Sequence, residues 1–130
     1  MKEKRTWSSY KKAVNNIAAE VKLIMLIGHW NIKISFMKEE SDNTAGCMIV
    51  LPKYFDATMR LYPPHYGLYK DGDDYEFVKT IIHELAHIIT EPLYLEAING
   101  VTNSSQEFLE TMREQTTEQI ANIVYNLWKK

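Results

Sequence analysis

The sequence predicts an α+β fold, on three observations: apolar residues recur at helical spacing near both ends, three short segments between them alternate, and Gly28, Pro52 and Pro63-Pro64 punctuate the series. Trp7, Tyr10, Val14, Ile17, Val21 and Ile24 step by three and four, which is one face of a helix running to Ile27, and Gly28 supplies its stop. Every second residue is apolar or aromatic from Trp30 to Phe36, so a half-buried strand follows. Lys38 to Thr44 is a polar loop, Ala45 to Leu51 a second strand closed by Pro52, and Ala57 to Tyr62 a third stopped by Pro63-Pro64. In that third strand Met59 and Leu61 share one face, and Thr58, Arg60 and Tyr62 the other.

Residues 63–73 read as a loop, after which Asp73, with Glu76 three positions on, has the pattern of a helix start. Phe77, Val78, Ile81, Ile82, Leu85, Ile88 and Ile89 form that helix's core face, and Pro92 is expected to end it near Thr90. A turn and short helix around Leu93 to Ile98 precede the break at Asn99-Gly100. A last helix opens at Ser104 or Ser105 and runs to about Trp128. The expected architecture is thus an amino-terminal helix, a small mainly antiparallel sheet, and two closing helices, in a single domain over residues 1–130.

Bulk properties exclude several function classes. The chain has 130 residues, enough for one core, and 45% hydrophobic with 25% charged residues is ordinary for a globular protein. A net charge of -2 argues against nucleic acid as an obligate partner. The basic cluster Lys2, Lys4, Arg5, Lys11 and Lys12 is diluted by Glu3 and Glu20 and lacks a base-stacking aromatic set. Lys22 interrupts the apolar stretch Val21 to Ile27, which lacks a small-residue cleavage site, so neither a signal peptide nor a membrane span is expected. Cys47 is the only cysteine, which removes intrachain disulfides and multi-thiolate zinc sites and fits a reducing cytoplasm, of a bacterial cell or an infected host.

The run His83-Glu84-Leu85-Ala86-His87 carries the chemistry. Imidazoles four residues apart lie on one helix face, so both can reach one ion, with Glu84 placed to act on its water. Catalytic zinc takes three protein ligands and keeps a position for water. The remaining histidines, His29 and His65, both lie upstream, so the third ligand is expected among Glu96, Glu107, Glu110, Glu114 and Glu118.

This arrangement resembles the gluzincins, whose third zinc ligand is a glutamate on a later helix. The stretch Glu114-Gln115-Thr116-Thr117-Glu118-Gln119-Ile120-Ala121 is similar to their pattern. The order of elements is similar to ImmA/IrrE-type peptidases of mobile elements and bacteria and to small phage-encoded zincin-like proteins. The resemblance implies a zinc metallopeptidase with His83, His87 and Glu114 as ligands, Glu84 as general base, and a peptide or protein as substrate. Thr117-Glu118 stands where the family more often has Ala-Asn or Ser-Asp, and Ile120 where it has Phe, so no family substrate is carried over.

The residues themselves agree with Glu114: Thr117 and Ala121, three and seven positions on, are small and let this helix approach the motif helix. Leu109, Met112, Thr116, Ile120, Ile123 and Leu127 form a second, apolar stripe. Glu118, one turn beyond Glu114, suits a hydrogen bond to a ligand imidazole. In the alternative register Glu118 is the ligand and Asn122 orients it. Tyr62, His65, Tyr66, Tyr69 and Tyr94 are the candidates to stabilise an oxyanion, and the Ala57 to Tyr62 strand, if at the sheet edge, to pair with substrate. The rival class is a non-catalytic binding or adaptor protein stabilised by zinc, against which Glu84 argues, since a structural site needs no base.

Overall fold

Thr6 opens the first helix, α1 (Trp7–Met25): its hydroxyl accepts the Ser9 amide and the Ser9 hydroxyl accepts the Thr6 amide, satisfying two otherwise open donors. Tyr10, Val14 and Val21 of the expected stripe are buried, joined by Ala18 and Met25, while Trp7, Ile17 and Ile24 are half-buried against the core. The helix ends before Gly28, however. Leu26 takes the left-handed conformation at φ 58°, its amide donates to the Leu23 carbonyl, and the Ile27 amide donates to that of Lys22. The buried Ile27 side chain anchors this reversal, so a leucine holds a conformation usually left to glycine. The computed structural model describes residues 4–41, 43–101 and 103–130, without the side chains of Asn103 and Ser104; Lys2 and Glu3 at the amino terminus and Asp42 of the polar loop lie outside these.

Three strands follow, β1 (Asn31–Phe36), β2 (Gly46–Leu51) and β3 (Asp56–Leu61), with a single 3-10 turn at Pro52–Tyr54 between the last two. Ala57, Met59 and Leu61 are buried, so β3 is the central strand, and the sheet order is β1-β3-β2. The sheet is mixed rather than mainly antiparallel. Each connection reverses the chain, but β3 inserts between its predecessors. It therefore runs antiparallel to β2, pairing Gly46 with Leu61 and Leu51 with Asp56, and parallel to β1, pairing Asn31 with Asp56.

Where a loop was expected, Pro63–Asp71 forms a helix, α2. The two prolines occupy its first turn, where a missing N–H costs nothing, and Gly72 closes it at φ 78° with the Gly72 and Asp73 amides donating to Tyr69 and Leu68. His65 lies on this helix, wholly buried and stacked on Phe77 at 4.7 Å. A carbonyl can only accept, so Nε2 donates to Phe77 O at 2.9 Å and Nδ1 accepts from the Tyr10 hydroxyl at 2.9 Å. His65 is thus a core residue rather than an oxyanion donor.

Burial pulls the His65 pKa down from 6.5 to about 4, against the opposing hydrogen bond to Phe77. Above pH 6.5 the ring is neutral in both folded and unfolded chains. Between 6.5 and 4 only the unfolded chain takes up the proton, so stability falls with pH through that window, by about 3 kcal/mol. Replacing His65 by Gln removes this dependence. The stability gap between the native chain and His65→Gln, from urea unfolding, is expected to narrow from pH 7 to pH 4.5; an unchanged gap would contradict the assignment.

The motif helix, α3, spans Asp74–Ile98 and the last helix, α4, Asn103–Trp128. Asp73 caps α3 by accepting the Glu76 amide. Pro92 does not end α3. An interior proline costs about 3 kcal/mol. Here the turn around it is tied to α4: the Arg113 guanidinium donates to Glu91 at 3.1 Å and lies over the Tyr94 ring at 4.1 Å, and the Tyr94 hydroxyl donates to Glu110 at 3.1 Å. Further along, Thr117 donates to the Arg113 carbonyl and so accepts from Thr90, 2.8 Å away. Thr117, Ala121 and Val124 are the buried face of α4, so these small residues do bring the helices together. Of the expected second stripe, Ile120 is half-buried against the core and Leu109 is half-buried, while Met112, Thr116, Ile123 and Leu127 are exposed. All four helices and all three strands contribute to one apolar cluster. Among the described residues no helix is long and apolar enough to cross a membrane.

Candidate metal centre

Both motif histidines lie on one face of α3, as their four-residue spacing requires, and the packing turns that face toward α4. His83 Nε2 lies 3.6 Å from one carboxylate oxygen of Glu114, and His87 Nε2 lies 3.8 Å from the other. These separations are too long for hydrogen bonds. Donors sharing one tetrahedral zinc at about 2.0–2.1 Å stand roughly 3.3 Å apart, so each imidazole Nε2 lies a few tenths of an ångström beyond that spacing from its own Glu114 oxygen. A tighter grouping joins His83, Glu84 and His87, whose ligand-type atoms lie within 4.8 Å of one another.

Glu84 is buried, and its Oε2 has no hydrogen-bond partner. Burial raises its pKa to about 7, with the His83 charge opposing and the Glu114 charge adding. Its position depends on Gly46 at the start of β2, where a Cβ would stand 3.4 Å from Glu84 Cγ and 3.3 Å from the Arg60 carbonyl. Burial also holds the His87 pKa below its usual value despite the Glu114 carboxylate, which keeps that imidazole neutral and its lone pair available at neutral pH.

The outward nitrogens are faced by carboxylates. His83 Nδ1 lies 3.0 Å from Glu118 Oε2, which can only accept, so Nδ1 carries a proton and Nε2 is the nitrogen that faces Glu114. Glu118 therefore stands behind His83, one turn from Glu114, and Asn122 lies further off against Lys79. His87 Nδ1, buried and without a hydrogen bond, lies 3.6 Å from Glu91 Oε2.

Two adjoining clefts meet over these residues. One, of about 290 Å³, is lined by Gly46 to Met48, His83, Glu84, His87, Glu91, Arg113 and Glu114. The other, of about 320 Å³, continues past His83 and Glu84 along Tyr75, Lys79 and Glu118. The strand beside the cleft is β2, which is an edge strand; β3, expected in that place, is central.

None of the five oxyanion candidates lines either cleft. Tyr66 is packed among Trp7 and Tyr10, Tyr69 donates to Ser9, Tyr62 contacts Cys47 and Tyr94 bonds Glu110. Sequence reasoning missed Glu91, Arg113, Lys79 and Tyr75. For Glu91 the four-residue offset from His87 was a usable signal, hidden by the expectation that Pro92 ends the helix.

Compared with protein-family models, curated proteins and solved structures, the chain matches none of them.

Proposed function

We propose that this chain is a zinc-dependent peptidase of gluzincin type, acting on peptide or protein substrates, with His83, His87 and Glu114 as ligands and Glu84 as general base. The observation that carries this reading is the convergence of two imidazole Nε2 atoms on the two oxygens of Glu114, with the buried carboxyl of Glu84 beside them in an open cleft.

Zinc held there supplies a Lewis acid that polarises a peptide carbonyl and makes water nucleophilic near pH 7. Glu84 takes the proton from the attacking water and returns it to the leaving amine. Glu84 lines both clefts, so its carboxyl is the group there placed for that exchange. An extended peptide laid along the free edge of β2 brings its backbone across the cleft, held by main-chain hydrogen bonds.

Metal analysis and hydrolysis together test the reading. The native chain is expected to bind one zinc, to lose it on combined His83→Ala and His87→Ala substitution, and to cleave a mixed peptide library in a chelator-sensitive way. Zinc bound without any cleavage would instead support the non-catalytic binding protein. No zinc bound would sink the centre itself.

A further inference from the structure

The two motif imidazoles share a feature that their spacing does not require: behind each stands a carboxylate, and behind each carboxylate a cation. On one side the Lys79 ammonium donates to Glu118 Oε1 at 2.7 Å, while Glu118 Oε2 accepts from His83 Nδ1 at 3.0 Å. Asn122 holds the same ammonium from the next turn of α4. On the other side Arg113 donates to Glu91 Oε1 at 3.1 Å, while Glu91 Oε2 faces His87 Nδ1 at 3.6 Å.

We propose that Lys79 and Arg113 are positioning residues of the metal centre, each anchoring the carboxylate that orients one imidazole, so that both Nε2 atoms point at a common site beside Glu114. This rests on the zinc reading above. Glu118 is half exposed, and an unanchored glutamate on a helix surface samples several rotamers, so a carboxylate there orients an imidazole only if something holds it. Lys79 is itself buried, and a buried ammonium is retained only with partners. Besides the Tyr75 ring on its own helix, its partners are Glu118 and Asn122, both on α4, so these contacts also clamp the motif helix to the helix that carries Glu114. Arg113 plays the same part from α4 toward α3, its guanidinium lying over the Tyr94 ring and its Nε 3.5 Å from Glu114 Oε1.

The sign of the change in zinc affinity decides between an anchor and a bystander. Removing a nearby cation tightens zinc binding by relieving repulsion, whereas releasing an orienting carboxylate weakens it. By competition with a chromophoric chelator, Lys79→Met is expected to weaken zinc binding roughly tenfold, the lower end for outer partners of a metal site. In a Glu118→Ala background the same change is expected to weaken it less than about twofold, because the anchor has nothing left to hold. Arg113→Met, alone and with Glu91→Ala, gives a second cycle on partly exposed side chains that stands even if Lys79→Met fails to fold; because Arg113 Nε also lies 3.5 Å from Glu114, its loss of affinity is expected to shrink in the Glu91→Ala background rather than vanish.

Tightened binding, or equal losses with and without the carboxylate, would overturn the proposal. A native chain that binds zinc while both cation variants bind it equally well defeats the anchors alone. A native chain that binds none defeats the centre with them.

Discussion

Glu84→Gln is expected to keep one zinc per chain and to lose peptide hydrolysis by about 10²–10⁴-fold, the range that a positioned general base contributes. Glutamine has the same shape and fills the same buried position between Gly46 and the two histidines, so the fold has no cavity or clash to absorb. What it lacks is the capacity to take the proton from water. Zinc content by mass spectrometry and turnover of the best-cleaved library peptide provide the two readings. Retained hydrolysis would remove Glu84 from the mechanism, and lost zinc would make it a ligand.

Glu114→Ala has the opposite signature. Its side chain is half exposed, so truncation costs little stability, yet the two motif imidazoles lose the carboxylate that both face. Zinc affinity is expected to fall by more than the roughly 10–100-fold typical of outer partners, with hydrolysis falling alongside. Glu118→Ala, in contrast, is expected to stay within that outer-partner range. Titration of both variants against the same chelator separates the two registers: a larger loss for Glu118→Ala would exchange the roles of the two glutamates.

The different legibility of these residues has a physical origin. His83, Glu84 and His87 belong to one helix, and helical periodicity places residues four apart on one face wherever that helix sits. The same holds for Glu114 and Glu118, one turn apart on α4, which is why both arrive at the imidazoles together. Thr117 and Ala121 announced the close approach because only small side chains let two helix axes come near. The stripe of Met112, Ile123 and Leu127 misled because apolar spacing identifies a helix but not which face meets the body, and on α4 the small residues took that place.

The α2 helix was legible and was missed. Proline in the first turn and glycine just after the last is a helix signature, yet Pro63-Pro64 also stops a strand, and those two readings are locally indistinguishable. Pro92 is a different case. Local propensity argues correctly that a helix should end there, and bonds from Glu91 and Tyr94 to a helix about twenty residues later outweigh it. His65 likewise offered no sign that Tyr10, fifty-five residues away, would claim one of its nitrogens.

Spacing within single elements was enough to read the α+β class and the two-histidine face with Glu84 between from the sequence, whereas it left five later glutamates open and only the gluzincin resemblance singled out Glu114 and Glu118. The tertiary structure alone decided that β2 rather than β3 borders the cleft, that Glu114 faces both Nε2 atoms while Glu118 stands behind His83, and that Lys79, Glu91 and Arg113 surround them. These are contacts between elements. They depend on strand order and on how α4 lies against α3, which burial of the whole apolar cluster settles and no local period encodes.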